Sequence, residues 1–262
     1  MVWPFPSPPL IPVVRLEGMI AAARPGLNLA SLEPTLHRAF QFAKAPAVAL
    51  SINSPGGSAV QSHLIVKRIR QLAAQKKKQV LAFVEDVGAS GGYMLACAAD
   101  EIFVDPSSLV GSIGVIGGGF GFPELMQKLG VERRVHTAGA VKGRLDPFRP
   151  ESPDDVRRLD EILKEVHAAF IAIVRERRAG KLKETPMLFE GEIFTAREAI
   201  EVGLVDALGD LNGVLAARWG KDVRIRKMPV GRMSLLRRLM GGAGDALLSR
   251  LEERAAFARY GV

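Results

Sequence analysis

The sequence predicts an α/β fold built on a parallel β-sheet. Short apolar runs rich in β-branched residues recur along the chain, which is typical of strands, and stretches with helical periodicity separate them. Alternating strands and helices favour parallel pairing through right-handed crossovers. The 262 residues, 48% of them hydrophobic and 24% charged, are enough to bury the core that such a sheet needs.

The strand pattern occurs in five segments, at 13–20, 47–53, 80–85, 101–105 and 131–137. The run AVAL at 47–50 is continuously apolar, as expected for a parallel strand that is buried on both faces. Helical patterns lie between the strands at 31–44, 62–75 and 91–98. We therefore expect strand and helix to alternate through the first hundred residues.

Two later helices carry start and stop signals. Ser152 and Pro153 occupy the N-cap and first helical positions of a long helix within 151–178. Its apolar residues form one stripe, at positions 156, 159, 163, 166, 170 and 173. Thr195 and Glu198 have the spacing of a capping box, and Gly203 is placed to end that helix.

The chain divides by composition into three regions. Residues 1–12 contain five prolines and predict an extended arm, because proline prevents an uninterrupted helix. Residues 13–215 form the predicted main domain, and 216–262 predict a strand followed by an amphipathic helical tail. We favour a tail that docks on the core or on another subunit over one that lies on a membrane surface. No signal peptide or spanning helix is expected.

The net charge of +8 raises the question of whether the chain binds nucleic acid or an anionic membrane surface. Basic residues gather at Lys76–Lys78, at Arg175–Lys183 and near the C-terminus, without interleaved aromatic residues. This distribution argues against nucleic-acid binding and favours solubility or contact with an anionic membrane surface. The single cysteine, Cys97, excludes an internal disulfide and is compatible with a reducing compartment.

Two glycine-rich turns are the candidate chemical features. Ser90, in VGASGGYM, lies between a predicted strand and a predicted helix, where it is either a helix N-cap or an exposed nucleophile. The second turn, SPGG, carries Gly57 and follows the strand at 47–53. If the two strands are adjacent, the N–H groups of Gly57 and Gly91 lie side by side and can form an oxyanion hole.

A serine nucleophile needs a base. The four histidines, His37, His63, His136 and His167, show no ordered arrangement with a serine and a carboxylate, so we assign none of them. A lysine can replace histidine when burial or nearby positive charge leaves its amine neutral. Lys142 is an isolated cation in a loop of small residues, and it is the lysine candidate.

Five motifs together resemble the signal peptide peptidase A family of serine peptidases, which includes the protease IV and SohB-like enzymes. They are NSPGGS at 53–58, GASGGYMLACAADEIFVDP at 88–106, GSIGVIGG at 111–118, TAGAVKGRLDP at 137–147 and FTAREAIEVGLVD at 194–206. The resemblance implies a ClpP/crotonase-like α/β fold, with Ser90 as nucleophile and Lys142 as general base. It also implies that Ser112 orients the lysine, that Gly57 and Gly91 form the oxyanion hole, and that no metal or organic cofactor is required.

The resemblance also implies partners. The substrates would be remnants of signal peptides, or other membrane-derived or unfolded peptides, and the chain would assemble into a ring or dome of identical subunits. We expect a cytoplasmic location, with peripheral membrane contact left open. The segment GRLDPFRPESPDD after Lys142 departs from the pattern of longer relatives, so the substrate follows less directly than the dyad.

Two alternatives remain at this stage. An acyl-CoA hydratase or isomerase of the crotonase type would share the fold and the paired turns, but it would need an acidic residue over a thioester, for which we identify no candidate. A catalytically silent scaffold relative would keep the fold alone. The joint presence of Ser90, Lys142, Ser112 and both glycine turns favours a peptidase over either.

Overall fold

The computed structural model describes residues 8–23, 26–229, 251 and 253–261. The strands in this part are β1 (Leu10–Glu17), β2 (Ala47–Ser54), β3 (Gln79–Ala89), β4 (Glu101–Val104), β5 (Leu109–Gly111), β6 (Ile193–Thr195), β7 (Ala207–Leu208) and β8 (Arg224–Met228). The helices are α1 (Leu29–Phe40), α2 (Ala59–Lys76), α3 (Gly91–Ala96), α4 (Pro123–Lys128), α5 (Pro153–Arg177), α6 (Ala196–Glu201) and α7 (Leu211–Trp219). Most of the predicted N-terminal arm and residues 230–250 of the tail lie outside the described residues.

The strands form one sheet in the order β6-β5-β3-β2-β1-β8, with β4 beside β3 and β7 beside β4. All pairs are parallel except β5 with β6. The predicted α/β fold with a parallel sheet is therefore confirmed. β3 pairs with β4 along 81–84 and with β5 along 87–89. Its carboxyl end leads directly to Ser90.

Apolar side chains cover both faces of the sheet. The AVAL run of β2 is fully buried, as predicted for a strand enclosed on both sides. The larger core cluster packs the strands against α1, α2 and α3. A smaller cluster lies under α7, where Leu215 is buried and the rings of Phe83 and Phe103 stack at 5.3 Å.

The start of α5, and the capping box and closing glycine of α6, match the prediction. α5 begins at Pro153, and both hydrogen bonds of the Thr195–Glu198 capping box are present. Gly203 has a φ of +79°, and the N–H of Leu204 beyond it donates to the carbonyl of Ala199 at 2.8 Å. This is the closing turn that a glycine after a helix permits.

One predicted strand is wrong. Residues 131–137 form no strand, although Val131, Val135 and Thr137 are β-branched. A strand needs a partner, and no strand occurs among residues 115–169, all of which the structure describes. The charged groups make short-range contacts instead: Arg134 pairs with Glu132 at 2.7 Å, and the Arg133 guanidinium lies 4.7 Å from the centre of the Phe148 ring.

The chain divides into two compact units. The first contains Met1–Gly114 and Phe170–Val262, and the second contains Val115–Ala169. The sheet, α1, α2 and α3 belong to the first unit. The second unit contains α4 and the first part of α5, where Gly117 packs against Leu159 and Leu163 of the predicted apolar stripe.

Candidate active site

Ser90 lies at a sharp turn between β3 and α3. Its φ of +53° and ψ of −123° are unfavourable for a residue with a side chain and cost about 1–3 kcal/mol. Its backbone is held, because Ser90 N donates to Gly111 O at 2.8 Å and Met94 N donates to Ser90 O at 3.0 Å. Such a turn projects the side chain away from the backbone, as in other strand-to-helix turns that carry a nucleophile.

The hydroxyl of Ser90 does not act as a helix cap. Within the described residues, its side chain makes no hydrogen bond to the start of α3. In contrast, Ser58 at the start of α2 accepts a hydrogen bond from Gln61 N at 3.3 Å. Ser90 is also only half-buried. Of the two interpretations that the sequence left open, the local geometry therefore favours the exposed nucleophile.

Glycines let the second turn approach Ser90 closely. Gly56 has a φ of +104°, and a Cβ atom placed on it would lie 2.9 Å from the Gly91 nitrogen. Gly92 lies similarly close to β2, where a Cβ would be 2.3 Å from the Ser54 carbonyl oxygen. Neither position accepts a side chain without displacement of backbone. The two predicted turns are therefore neighbours.

The structure brings Gly57 and Gly91 together. A Cβ placed on Gly91 would lie 3.4 Å from the Gly57 nitrogen. In the described part of the chain, neither N–H group donates to another backbone carbonyl. Gly57 has a φ of +137° and packs so tightly on Ile20 that a Cβ would lie 2.0 Å from its carbonyl oxygen. Two such N–H donors beside a half-buried serine are what an oxyanion hole requires.

Ser112 comes directly after Gly111, whose carbonyl accepts the hydrogen bond from Ser90 N. Its φ of +49° is again in the left-handed region, and its N–H donates to the Glu192 carbonyl at 2.6 Å. Gly111 before it has a φ of +99°. The first unit thus places Ser112 next to the turn that carries Ser90.

Lys142 belongs to the second unit. It is exposed, and it lies in a series of short turns in which Lys142 N donates to Gly139 O at 3.2 Å. Two carboxylates stabilise these turns by accepting backbone hydrogen bonds. Asp146 accepts from the Phe148 N–H at 3.1 Å, and Asp155 of α5 accepts from the Leu145 N–H at 3.2 Å. The loop that presents the lysine is therefore anchored at two points within its own unit.

Cys97 is excluded as a competing nucleophile near Ser90. It lies directly after α3 and is fully buried. Burial raises the pKa of the Cys97 thiol to about 12, because the apolar surroundings disfavour the thiolate. The thiol therefore stays protonated at neutral pH, and a protonated thiol is a poor nucleophile.

A cavity of about 460 Å³ lies away from Ser90, between the ends of β2, β3 and β4 and the start of α7. Ser90 does not line it. Two of its polar lining groups already have partners, since Ser51 donates to Glu85 at 2.6 Å and Arg15 pairs with Glu85 at 2.8 Å. Among the described residues there is also no cluster of three or more side chains that could hold a metal ion. The strained turn, rather than the cavity, identifies the candidate site.

The chain is similar to known proteins along most of its length. It is 51% identical over 271 residues to a Brucella melitensis protein named Na+/H+ antiporter NhaA, covering 96% of this chain and 37% of that one. It is 32% identical over 162 residues to a putative signal peptide peptidase SppA of Enterococcus faecium, covering 62% and 47%. The chain thus spans less than half the length of both relatives. No helix among the described residues could cross a membrane.

The solved structures support the fold. One match is a mutant of the 1510-N membrane-bound stomatin-specific protease in complex with a substrate peptide, with a TM-score of 0.52 and 17% identity over 89% of this chain and 96% of that one. This likeness confirms the ClpP/crotonase-like fold. A model of the family described as "Peptidase family S49" matches residues 72–223, which include Ser90, Ser112 and Lys142. Because the match spans more than half of the residues of this chain, the chain belongs to peptidase family S49.

Proposed function

We propose that this chain is a serine endopeptidase that hydrolyses peptide bonds with Ser90 as nucleophile and Lys142 as general base. One observation carries the proposal: Ser90 is held in a strained turn, with its hydroxyl uncapped, beside the N–H groups of Gly57 and Gly91. Membership of a peptidase family and the similarity to a signal peptide peptidase support the same activity.

The first half of the reaction forms the acyl-enzyme. The Ser90 oxygen attacks the peptide carbonyl carbon while the neutral amine of Lys142 accepts the hydroxyl proton. The carbonyl oxygen becomes an oxyanion and accepts hydrogen bonds from the Gly57 and Gly91 N–H groups. When the carbon–nitrogen bond breaks, the Lys142 ammonium returns the proton to the leaving amine. Ser112, beside the Ser90 turn, orients the lysine.

The second half regenerates the serine. Water attacks the ester carbonyl, Lys142 accepts a proton from the water, and the same two N–H groups bind the second oxyanion. The carbon–oxygen bond to Ser90 then breaks, and Ser90 recovers its proton from Lys142. The protein's own groups supply every proton transfer, and the reaction needs no metal or organic cofactor.

The proposed substrates are unfolded or membrane-derived peptides, including remnants of signal peptides. The SppA relative supports this class, and the structural neighbour holds a substrate peptide. The Brucella relative is named for an antiporter, which works in a membrane, so we also propose that this chain acts at a membrane surface from the cytoplasm. Homo-oligomeric assembly completes the proposal.

Labelling of the full chain with a fluorophosphonate probe tests the dyad. The wild-type protein should be labelled and Ser90→Ala should not, because the probe bonds to an activated serine oxygen. Lys142→Ala should label slowly, because the base is missing. Ser107→Ala and Lys164→Ala, which change an exposed serine and an exposed lysine, should behave as wild type.

Casein or peptide hydrolysis by the same variants completes the test. Hydrolysis that survives Ser90→Ala in pure protein would overturn the assignment of the nucleophile. Binding of CoA together with absent labelling would favour the crotonase-type alternative.

A further inference from the structure

Arginines from two other helices bind the turn that ends α3. Arg177, the last residue of α5, donates from Nε to the Cys97 carbonyl at 2.9 Å and from Nη2 to the Ala99 carbonyl at 3.0 Å. Arg70 of α2 donates to the Ala98 carbonyl between them at 3.1 Å. Three successive carbonyl groups at one end of the Ser90 helix are thus bound by guanidinium groups.

Asp100 joins the two arginines and ties them to the sheet. Its carboxylate lies 2.8 Å from Arg70 and 3.4 Å from Arg177. The same carboxylate accepts a hydrogen bond from the Val80 N–H of β3 at 2.8 Å. β3 is the strand that ends at Ser90. The group formed by Arg70, Arg177 and Asp100, here called the α3 clamp, therefore connects the far end of α3 to the strand before it.

The Arg177 side chain of the clamp is more buried than that of the nearby Arg175. The sequence run 175–183 is strongly basic. Arg175 lies at the surface, since its side chain is 55% exposed and pairs with the exposed Glu184 at 2.7 Å. The Arg177 side chain is only 21% exposed, and Arg178 is 2% exposed against Asp206. Neighbouring arginines at the end of α5 and directly after it therefore have different surroundings.

α3 needs support from outside. It has six residues, and a helix of that length is not stable by itself. The turn before it stores the backbone strain of Ser90, which persists only where the surrounding structure holds the chain in place. All six residues of α3 are buried, and the Tyr93 hydroxyl donates to the Leu204 carbonyl at 2.6 Å. The clamp supplies the remaining restraint at the end opposite Ser90.

We propose that Arg177 is a positioning residue for the Ser90 nucleophile. By binding the carbonyls of Cys97 and Ala99, Arg177 keeps α3 from shifting along its axis, and this holds Ser90 and the Gly91 N–H in register with Gly57. The inference rests on the proposed function, because it assumes that Ser90 is the nucleophile. It assigns the effect to the geometry of α3 and not to contact with the substrate.

The test compares Arg177→Met, Arg177→Lys and the matched control Arg175→Met in the full chain. For Arg177→Met, kcat for peptide hydrolysis and the rate of fluorophosphonate labelling should fall roughly 10- to 100-fold, while KM changes by less than about twofold. Circular dichroism at the assay temperature verifies that the variant is folded. Arg177→Lys should recover part of the loss, because the ammonium still reaches carbonyls and Asp100. Arg175→Met should match wild type.

Hydrogen exchange gives a readout that does not depend on activity. Amides of residues 91–99 should exchange faster in Arg177→Met than in Arg175→Met, and amides of α7 should not differ. Unchanged exchange in 91–99, or a kcat equal to wild type, would overturn the inference and leave the dyad intact. An equal loss in Arg175→Met would also overturn it. If the wild-type chain is not labelled at Ser90, the proposed function fails and the catalytic part of this inference fails with it.

Discussion

A Cβ atom on Gly56 would lie 2.8 Å from the Cβ of Ser90, closer than two side-chain carbons can pack. Gly56→Ala should therefore destabilise the fold by roughly 2–4 kcal/mol, since a positive φ and a collision act together. Gly220→Ala is the control, because Gly220 has a φ of +92° but nothing within 4 Å of an added Cβ. Urea unfolding measures the free energy of unfolding of both variants. Equal losses would show that the Ser90 turn can move to accommodate an added Cβ at position 56.

The rate of hydrolysis should increase with pH if Lys142 is the base. Only the neutral amine accepts the Ser90 proton, so kcat/KM should rise as the pH increases from about 6 to 10. Lys142→Ala should remove both the activity and this dependence. The measurement is a pH profile of peptide hydrolysis, with the stability of the protein checked at each pH. A flat profile would contradict a lysine base.

Asp155 should matter for activity because it fastens the Lys142 loop. It accepts from Leu145 N, and it pairs with Arg144 at 3.1 Å. Asp155→Ala should lower kcat roughly tenfold through misplacement of the lysine. Asp154→Ala is the matched control: Asp154 is also in the first turn of α5, but its carboxylate accepts a hydrogen bond from Arg157 of the same helix. Equal effects of the two substitutions would refute a role in the loop.

Asp206 should make stability depend on pH. Burial alone would raise the pKa of Asp206, but hydrogen bonds from Arg178, Lys181 and the Ile102 N–H outweigh it and hold the pKa below its usual value. A carboxyl group with a lowered pKa stabilises the fold above its unfolded pKa of about 4, and this contribution is lost as the pH falls through the folded pKa.

Asp206→Asn should therefore lower stability by about 3 kcal/mol at pH 7, because Arg178 is left buried without its counter-charge. The deficit relative to wild type should shrink as the pH falls from about 4 through the lowered pKa of folded Asp206, where the wild-type carboxyl also loses its charge. Thermal unfolding from pH 2 to 8 measures the difference. Asp222→Asn changes an exposed aspartate and should show no such dependence.

The C-terminal tail should contribute to assembly. Removal of residues 233–262 should lower the molar mass of the assembly in light scattering, and binding to anionic vesicles should change little. The opposite result, an unchanged mass with lost vesicle binding, would assign the tail to the membrane. A chain that lacks only residues 1–7 serves as the truncation control.

The features predicted from the sequence are those that depend on neighbouring residues. The strands before Gly57 and Ser90 and the capping box at Thr195 follow from local patterns, and the structure contains all of them. The turn at Ser90 was predicted as well, but its strained φ was not, because that conformation depends on Gly111, Gly56 and α3. The role of Lys142 stays a prediction.

The features that could not be predicted depend on distant partners. Residues 131–137 contain β-branched residues typical of strands but have no strand beside them, so local composition alone gave the wrong result. The run at 175–183 has the charged composition of a surface. Arg177 and Arg178 nevertheless point inward, because carbonyls of the turn after α3 accept hydrogen bonds from Arg177 and Asp206 accepts them from Arg178. One signal was available in the sequence. Tyr93 is a large residue that follows several small ones, and its hydroxyl binds the distant Leu204 carbonyl, which helps to hold α3 in place.

The order of the strands also determines when the Ser90 turn is completed during synthesis. β1 pairs with β8, which is more than 200 residues later in the chain. The Ser112 N–H can donate to the Glu192 carbonyl, and the Tyr93 hydroxyl to the Leu204 carbonyl, only after those later residues have been made. Contacts between such distant residues form late and slowly. A chain still on the ribosome therefore lacks these supports until most of it has been made, so the strained turn at Ser90 reaches its final conformation only after residues 192–228 are present.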